Sequence, residues 1–199
     1  MTAEKRATEF RQEQIVSMAM ALIEQNGLKG LNMAALARQV GIVPSALYRH
    51  YKGKREIVGI ILDRLKEMMH SNLKTARGDS PDPCARLKLL LDRHFAMLRM
   101  SPGIPRLVFS DDLGSRYPSQ RVKVLGILVE FMGGVESIVR EGQASGCLRA
   151  DIQAAAIARL YLGLIQSSSL MWYLSGGRID PEQGKEEVWR VFEKALKPG

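Results

Sequence analysis

Tyr48, Arg49, His50, Lys52 and Lys54 bring a hydroxyl, a guanidinium, an imidazole and two ammonium groups into one short stretch. No carboxylate occurs between Gln39 and Arg55. A solvated face usually mixes Glu with Lys. A run of donors kept clear of negative charge instead suits contact with phosphate oxygens. Groupings that would support catalysis are weaker. His50, His70 and His94 are the only histidines. Asp92 and His94 sit two residues apart, on different sides of a helix, so neither orients the other. Asp111-Asp112 reads more simply as a solvated helix end. GxSxG, HExxH and phosphate-binding glycine loops are absent, so the chain is expected not to be an enzyme. Cys84 and Cys147 lack CxxC spacing, which argues against structural zinc and a disulfide framework. No metal or cofactor is expected. Cys84, beside Pro83 near a helix start, is the better candidate for a redox-sensing thiol if its pKa is lowered, against an ordinary thiol.

The donor run needs a rigid element to present it, and the residues just before it describe one. Met33, Leu36, Ala37 and Val40 recur at offsets 0, 3, 4 and 7, one apolar face of a short helix. Gly41 follows, where a helix ending in a left-handed residue favours the absence of Cβ. Pro44 presets φ for the first turn of a second helix. Leu47 and Tyr51 face inward there, while Ser45, Ala46, Tyr48, Arg49 and His50 face out. Ala37 is small enough for the two helices to cross closely. Helix, glycine turn and helix form the geometry that sets a second helix into a DNA major groove, although a plain helical hairpin shows part of the pattern.

The residues GIVPSALYRHYKGK resemble the signature of the TetR-family transcriptional regulators: a glycine turn, a Leu-Tyr pair, a His-aromatic pair and a Lys. The stretch RQEQIVSMAMALIEQNGLKGLNMAALA is similar to that family's first helix and the approach to its helix-turn-helix. The resemblance covers residues 6–66; beyond them only helical architecture and length match. Where the family usually has Ser or Thr, this chain has Val43, which removes a side-chain N-cap from the second helix. The resemblance implies an all-α fold of about nine helices, with a three-helix helix-turn-helix head on a long connecting helix and a C-terminal ligand-binding and dimerisation body. Residues 1–55 would bind DNA, and residues 56–199 would bind ligand and dimerise. Asn32, Tyr48, His50 and Lys54 would hold phosphates, Asn32 also capping its helix. Pro44, Ser45, Ala46 and Arg49 would approach bases or the adjacent backbone.

Charge agrees with this division. Residues 1–55 hold nine Lys and Arg against four Glu, a balance of +5; the rest of the chain adds only +3. The excess gathers on the candidate head rather than spreading evenly. Thr2 to Arg6 could reach into a minor groove as a basic arm, though a frayed terminus is the simpler reading. No apolar run approaches the roughly 20 residues of a membrane span, and the N-terminus lacks a secretion signal, so a cytoplasmic protein is expected.

Periodicity and breaks predict the body's helices at 54–76, 83–100, 105–113, 119–144, 152–174 and 181–196, with Asp151 capping the fifth and Asp180-Pro181 starting the last. Met97, Leu98, Met100, Phe109, Phe131, Met132, Gln166, Ser169, Met171, Trp172 and Tyr173 could line a pocket for an unidentified small hydrophobic or aromatic ligand. Each could equally be core. A reader of palindromic double-stranded DNA needs a homodimer. Leu160, Leu164, Ser167, Ser168, Val188, Phe192 and Leu196, on the last two long helices, are the candidate interface. The leading expectation is a repressor released from its operator by ligand. The alternatives are an activator of the same architecture and a ligand-independent protein-interaction module that binds DNA weakly whatever the salt.

Overall fold

A computed structural model describes residues 3–198, with side chains from Phe10 onward; the candidate arm at Thr2–Arg6 lies outside the described side chains. Ten helices and no strand occur among the described residues. They are α1 (Ala3–Gly30), α2 (Met33–Val40), α3 (Pro44–Tyr48), α4 (Lys54–Asp79), α5 (Pro83–Met100), α6 (Gly103–Val108), α7 (Asp111–Arg116), α8 (Pro118–Ala144), α9 (Ala154–Leu174) and α10 (Lys185–Leu196). Packing divides the chain into two compact units. The first holds residues 1–65 and 101–124; the second holds 66–100 and 125–199. Residues 101–124, which carry α6, α7 and the start of α8, thus pack with the N-terminal helices.

In the first unit, Ile15, Val16, Ala19, Leu22 and Ile23 form the buried stripe of α1. The helix kinks at Gly27, whose φ of 67° no β-carbon hinders. Leu28 and Leu31 then turn inward. α6 packs on α1 at very close range: a Cβ on Gly103 would lie 3.0 Å from the Met20 carbonyl oxygen and 3.0 Å from its Cε. The expected single helix at 105–113 is two helices. Phe109 and Ser110 close α6 with bonds from their N–H groups to the Pro105 and Leu107 carbonyls, at 2.9 and 3.2 Å. Ser110 is extended, and the carboxylates of Asp111 and Asp112 favour a fresh N-terminus after it.

The second unit is built around a run of rings. His94 lies 5.3 Å from Phe131, Phe131 6.4 Å from Tyr161, Tyr161 5.7 Å from Phe192, and Phe192 5.7 Å from Trp189. These residues stitch α5, α8, α9 and α10 together, and the Tyr161 hydroxyl donates to the Leu87 carbonyl at 2.8 Å. Two helix starts differ from expectation. Asp151 does not cap α9; it holds the Arg149 guanidinium at 2.7 and 2.6 Å, and α9 begins after Gln153 with no side-chain cap. α10 begins at Lys185 rather than 181, because Gly184 adopts a left-handed φ of 75° and the Asp180 carboxylate holds a turn by accepting from the Glu182 N–H.

Candidate nucleic-acid interface and ligand cavity

The α2–α3 segment folds as its residues dictate. Asn32 is extended, and its Oδ1 accepts the Ala35 N–H at 2.8 Å, capping α2. Met33, Leu36, Ala37 and Val40 are buried. Gly41 ends the helix at φ 77°, and the Ile42 N–H donates to the Ala37 carbonyl at 2.9 Å. Val43 supplies no side-chain cap to α3, and Pro44 opens that helix. Turns continue past Tyr48, with the His50 and Tyr51 N–H groups donating to the Leu47 carbonyl. Leu47 and Tyr51 are buried, and burial together with the nearby Glu56 raises the Tyr51 phenol above its usual pKa.

On the other side Pro44, Ser45, Tyr48, Arg49 and His50 are exposed and Ala46 is half-buried. Arg49 and Lys52 make no ion pair among the described residues, so their charges are free for an outside partner. Glu56, the first acid after the run, is exposed, and its Oε2 accepts the Lys52 backbone N–H at 2.7 Å.

Lys54 does not join this row. Its ammonium donates to the Leu28 carbonyl at the end of α1 and sits 6.0 Å from the centre of the Tyr117 ring. Burial pulls its pKa below the ordinary lysine value; Asp112 opposes this and Arg116 adds to it. The expected phosphate anchor is therefore an internal tie between α1 and the start of α4. The Asn32 side chain, though exposed, spends its Oδ1 on the cap.

In the second unit α4 and α5 line an open cavity of about 340 Å³ formed by Met68, Ser71, Asn72, Arg93, Ala96, Met97 and Met100. Of the eleven candidate ligand residues only Met97 and Met100 line it. Leu98, Phe131 and Ser169 are buried in packing, the Ser169 hydroxyl donating to the Ile165 carbonyl at 2.8 Å. Met132, Gln166, Trp172 and Tyr173 are half-buried, Met171 is exposed, and Phe109 belongs to the first unit. Arg93 and Asn72 are polar wall residues that the search for apolar and sulfur-rich side chains passed over. The available signal was spacing: 93, 96, 97 and 100 form one stripe on α5, and 68, 71 and 72 one on α4.

The candidate interface also needs correction. Phe192 and Leu196 are each 2% exposed, with Phe192 packed against the protomer's own Tyr161 and Trp189 rings, and cannot face a partner. The exposed apolar residues on these helices are Leu160, Leu170, Met171 and Leu174 on α9, and Val188 and Val191 on α10, with Val191 71% exposed. Ser167 is exposed, and Leu164 and Ser168 are half-buried. Cys84 is no poised thiol: burial, then Glu193, Asp82 and Cys147, push it up to about 11, opposite to what a redox sensor requires.

Comparison with known proteins bears on both parts. A family model described as bacterial regulatory proteins, tetR family, matches residues 15–59, and one described as tetracyclin repressor-like, C-terminal domain, matches residues 80–196. The chain is 22% identical over 186 residues to the nucleoid occlusion factor SlmA of Marinomonas sp. (strain MWYL1), covering 94% of each chain. Among solved structures it is similar to the MbdR regulator of Azoarcus sp. CIB, with TM-score 0.80, 19% identity, and 94% and 100% of the two chains covered. It is also similar to FadR of Bacillus subtilis, solved in complex with stearoyl-CoA, with TM-score 0.76, 19% identity, and 92% and 98% covered.

Proposed function

The chain belongs to the TetR family of bacterial regulatory proteins, and from that premise we propose that it works as a homodimeric repressor released from a palindromic operator by a small ligand. It is a DNA-binding transcription regulator with a ligand-binding C-terminal domain. The observation that carries the finer reading is the exposed, acid-free segment from Pro44 to Lys52, held outward by buried Leu47 and Tyr51. Tyr48 and His50 contact phosphates, Arg49 with Pro44, Ser45 and Ala46 approach bases, and Asn32 contributes what its cap leaves free. The functional division is a DNA-binding part, residues 1–55, and a ligand-binding and dimerising part, residues 56–199.

One such segment reads too few base pairs, so two must meet neighbouring turns about 34–36 Å apart. The exposed faces of α9 and α10, with Leu160, Leu164, Ser167, Ser168, Val188 and Val191, supply the two-fold contact. An apolar row at helical spacing on both helices supports a four-helix seam. Ligand acts by differential affinity for the two spacings of the paired heads, which a few kcal/mol suffices to shift. α4 is the natural carrier, since it lends residues to both units and starts at the tie between Lys54 and α1. The protein then works where the chromosome is, in the cytoplasm, and its chemistry is binding rather than turnover.

Selection of bound duplexes from a random pool tests this. A palindromic consensus is expected, with affinity falling steeply as salt rises. No duplex binding at low salt, or a monomer in solution, would sink it. The relatives named nucleoid occlusion factors favour a second reading, in which the DNA-bound dimer acts on something other than a promoter. Sites scattered away from promoters would support that version.

A further inference from the structure

We propose that the cavity between α4 and α5 binds a small anion carried on an apolar body, with Arg93 holding the charged head. The proposal deepens the ligand-controlled reading above and rests on it for what binding accomplishes. Arg93 is half-buried and lines the cavity. Its Nε donates at 3.3 Å to the Oδ1 of buried Asn72, which fixes the plane of the guanidinium and engages its inner nitrogen.

The outer nitrogens have no carboxylate among the described residues, and in this unit that is unusual. Arg77 and Arg86 face Glu141, Arg99 faces Glu182, Arg140 faces Glu136, and Arg149 faces Asp151. The unit's unpaired Arg159 and Arg178 are exposed to water. Asp92, the adjacent acid in the chain, is committed to Lys88 and Lys185 at 2.8 Å each.

A guanidinium stays charged at any physiological pH, and partial burial without a counter-ion leaves that charge under-solvated. Its fork geometry matches carboxylate and phosphate oxygens alike. Buried Met97, half-buried Met68 and Ala96 and exposed Met100 give it an apolar, adaptable flank on one side, which accommodates an aliphatic or aromatic body. A volume of about 340 Å³ suits a ligand of modest size. Three of the seven lining residues lie on α4, so occupancy acts directly on that helix.

Calorimetric titration of the full chain with decanoate, decyl phosphate and 1-decanol tests the proposal. Both anions are expected to bind saturably, with decanol at least about tenfold weaker. The ratio of decanoate to decyl phosphate affinity tells which head is preferred. Arg93→Met should weaken the anions by about 10–100-fold and leave decanol unchanged, with Arg93→Lys between. Decanol binding as tightly as decanoate, unchanged anion affinity in Arg93→Met, or no saturable binding of either anion overturns it. The probe comparison uses the unaltered protein, so it decides even if a variant does not fold. Duplex binding by ligand-free protein is measured separately: failure there defeats the regulator reading alone, and failure of the titration defeats the anion site alone.

Discussion

α3 and α10 pose the same question, which residues face in, and the sequence answers it for only one of them. In α3 and the turns that continue it, the inward Leu47 and Tyr51 and the outward Ser45, Arg49 and His50 differ in chemical type, so the buried face is marked by composition. In α10 two neighbouring stripes are both apolar. Trp189, Phe192 and Leu196 form one, and Val188 and Val191 lie on the other, rotated by about 100°. Periodicity detects an apolar helix in both cases but cannot say which stripe serves the protomer's own core. A helix with two apolar stripes therefore hides which of them its own chain buries.

The largest expected effect breaks α10 directly. Phe192→Arg places a charge among Tyr161 and Trp189 and should cost more than about 4 kcal/mol, unfolding the protein rather than yielding folded monomers. Val191→Arg, one residue earlier on the other stripe, should keep the helical circular dichroism signal while sedimentation shows monomers and operator binding is lost. A folded, monomeric Phe192→Arg protein would reverse the two assignments.

His94 offers a second contrast with the exposed reading surface, since its Nδ1 is buried with no partner among the described residues. Burial pushes its imidazole down to about 4. The unfolded chain, titrating near the ordinary 6.5, then binds more protons between those values, so stability falls as pH drops below 6.5 and levels off near 4. The expected loss from pH 7 to pH 5 is about 2 kcal/mol by denaturant unfolding, and His94→Gln should remove that pH dependence. An equal loss in the variant would assign it to other groups.

On the reading surface, Tyr48→Ala should weaken all duplex sequences alike, by about 1 kcal/mol. A changed consensus would mean that Tyr48 reads bases. Lys54→Met is the smallest expected effect on DNA: if its ammonium stays at the Leu28 carbonyl, the slope of log affinity against log salt should be unchanged. A slope shallower by about one unit would place Lys54 on a phosphate after all.

Legibility followed the same division. α5 appears in the sequence with its exact span because Pro83 and Ser101-Pro102 bracket a clear apolar stripe. The break inside 105–113 was hidden, since Ser110 extends through local backbone geometry that no apolar pattern marks. Asp151 looked like a cap and became an ion-pair partner because Arg149, two residues away, competes for its oxygens. Arg93 escaped notice because a charged residue in an amphipathic helix is ordinarily solvent-facing, and only the fold of α4 against α5 turns it toward a cavity.

By itself the sequence determined the helical fold, the glycine turn joining α2 to α3 and the location of positive charge, because these rest on backbone preference and on contrast between neighbouring side chains. The tertiary structure alone decided which apolar stripe of α10 is core, that Lys54 ties α1 to α4, and that Arg93 faces no acid among the described residues. Those are facts about pairs of residues distant in the chain, and no local pattern encodes which partner a side chain finds.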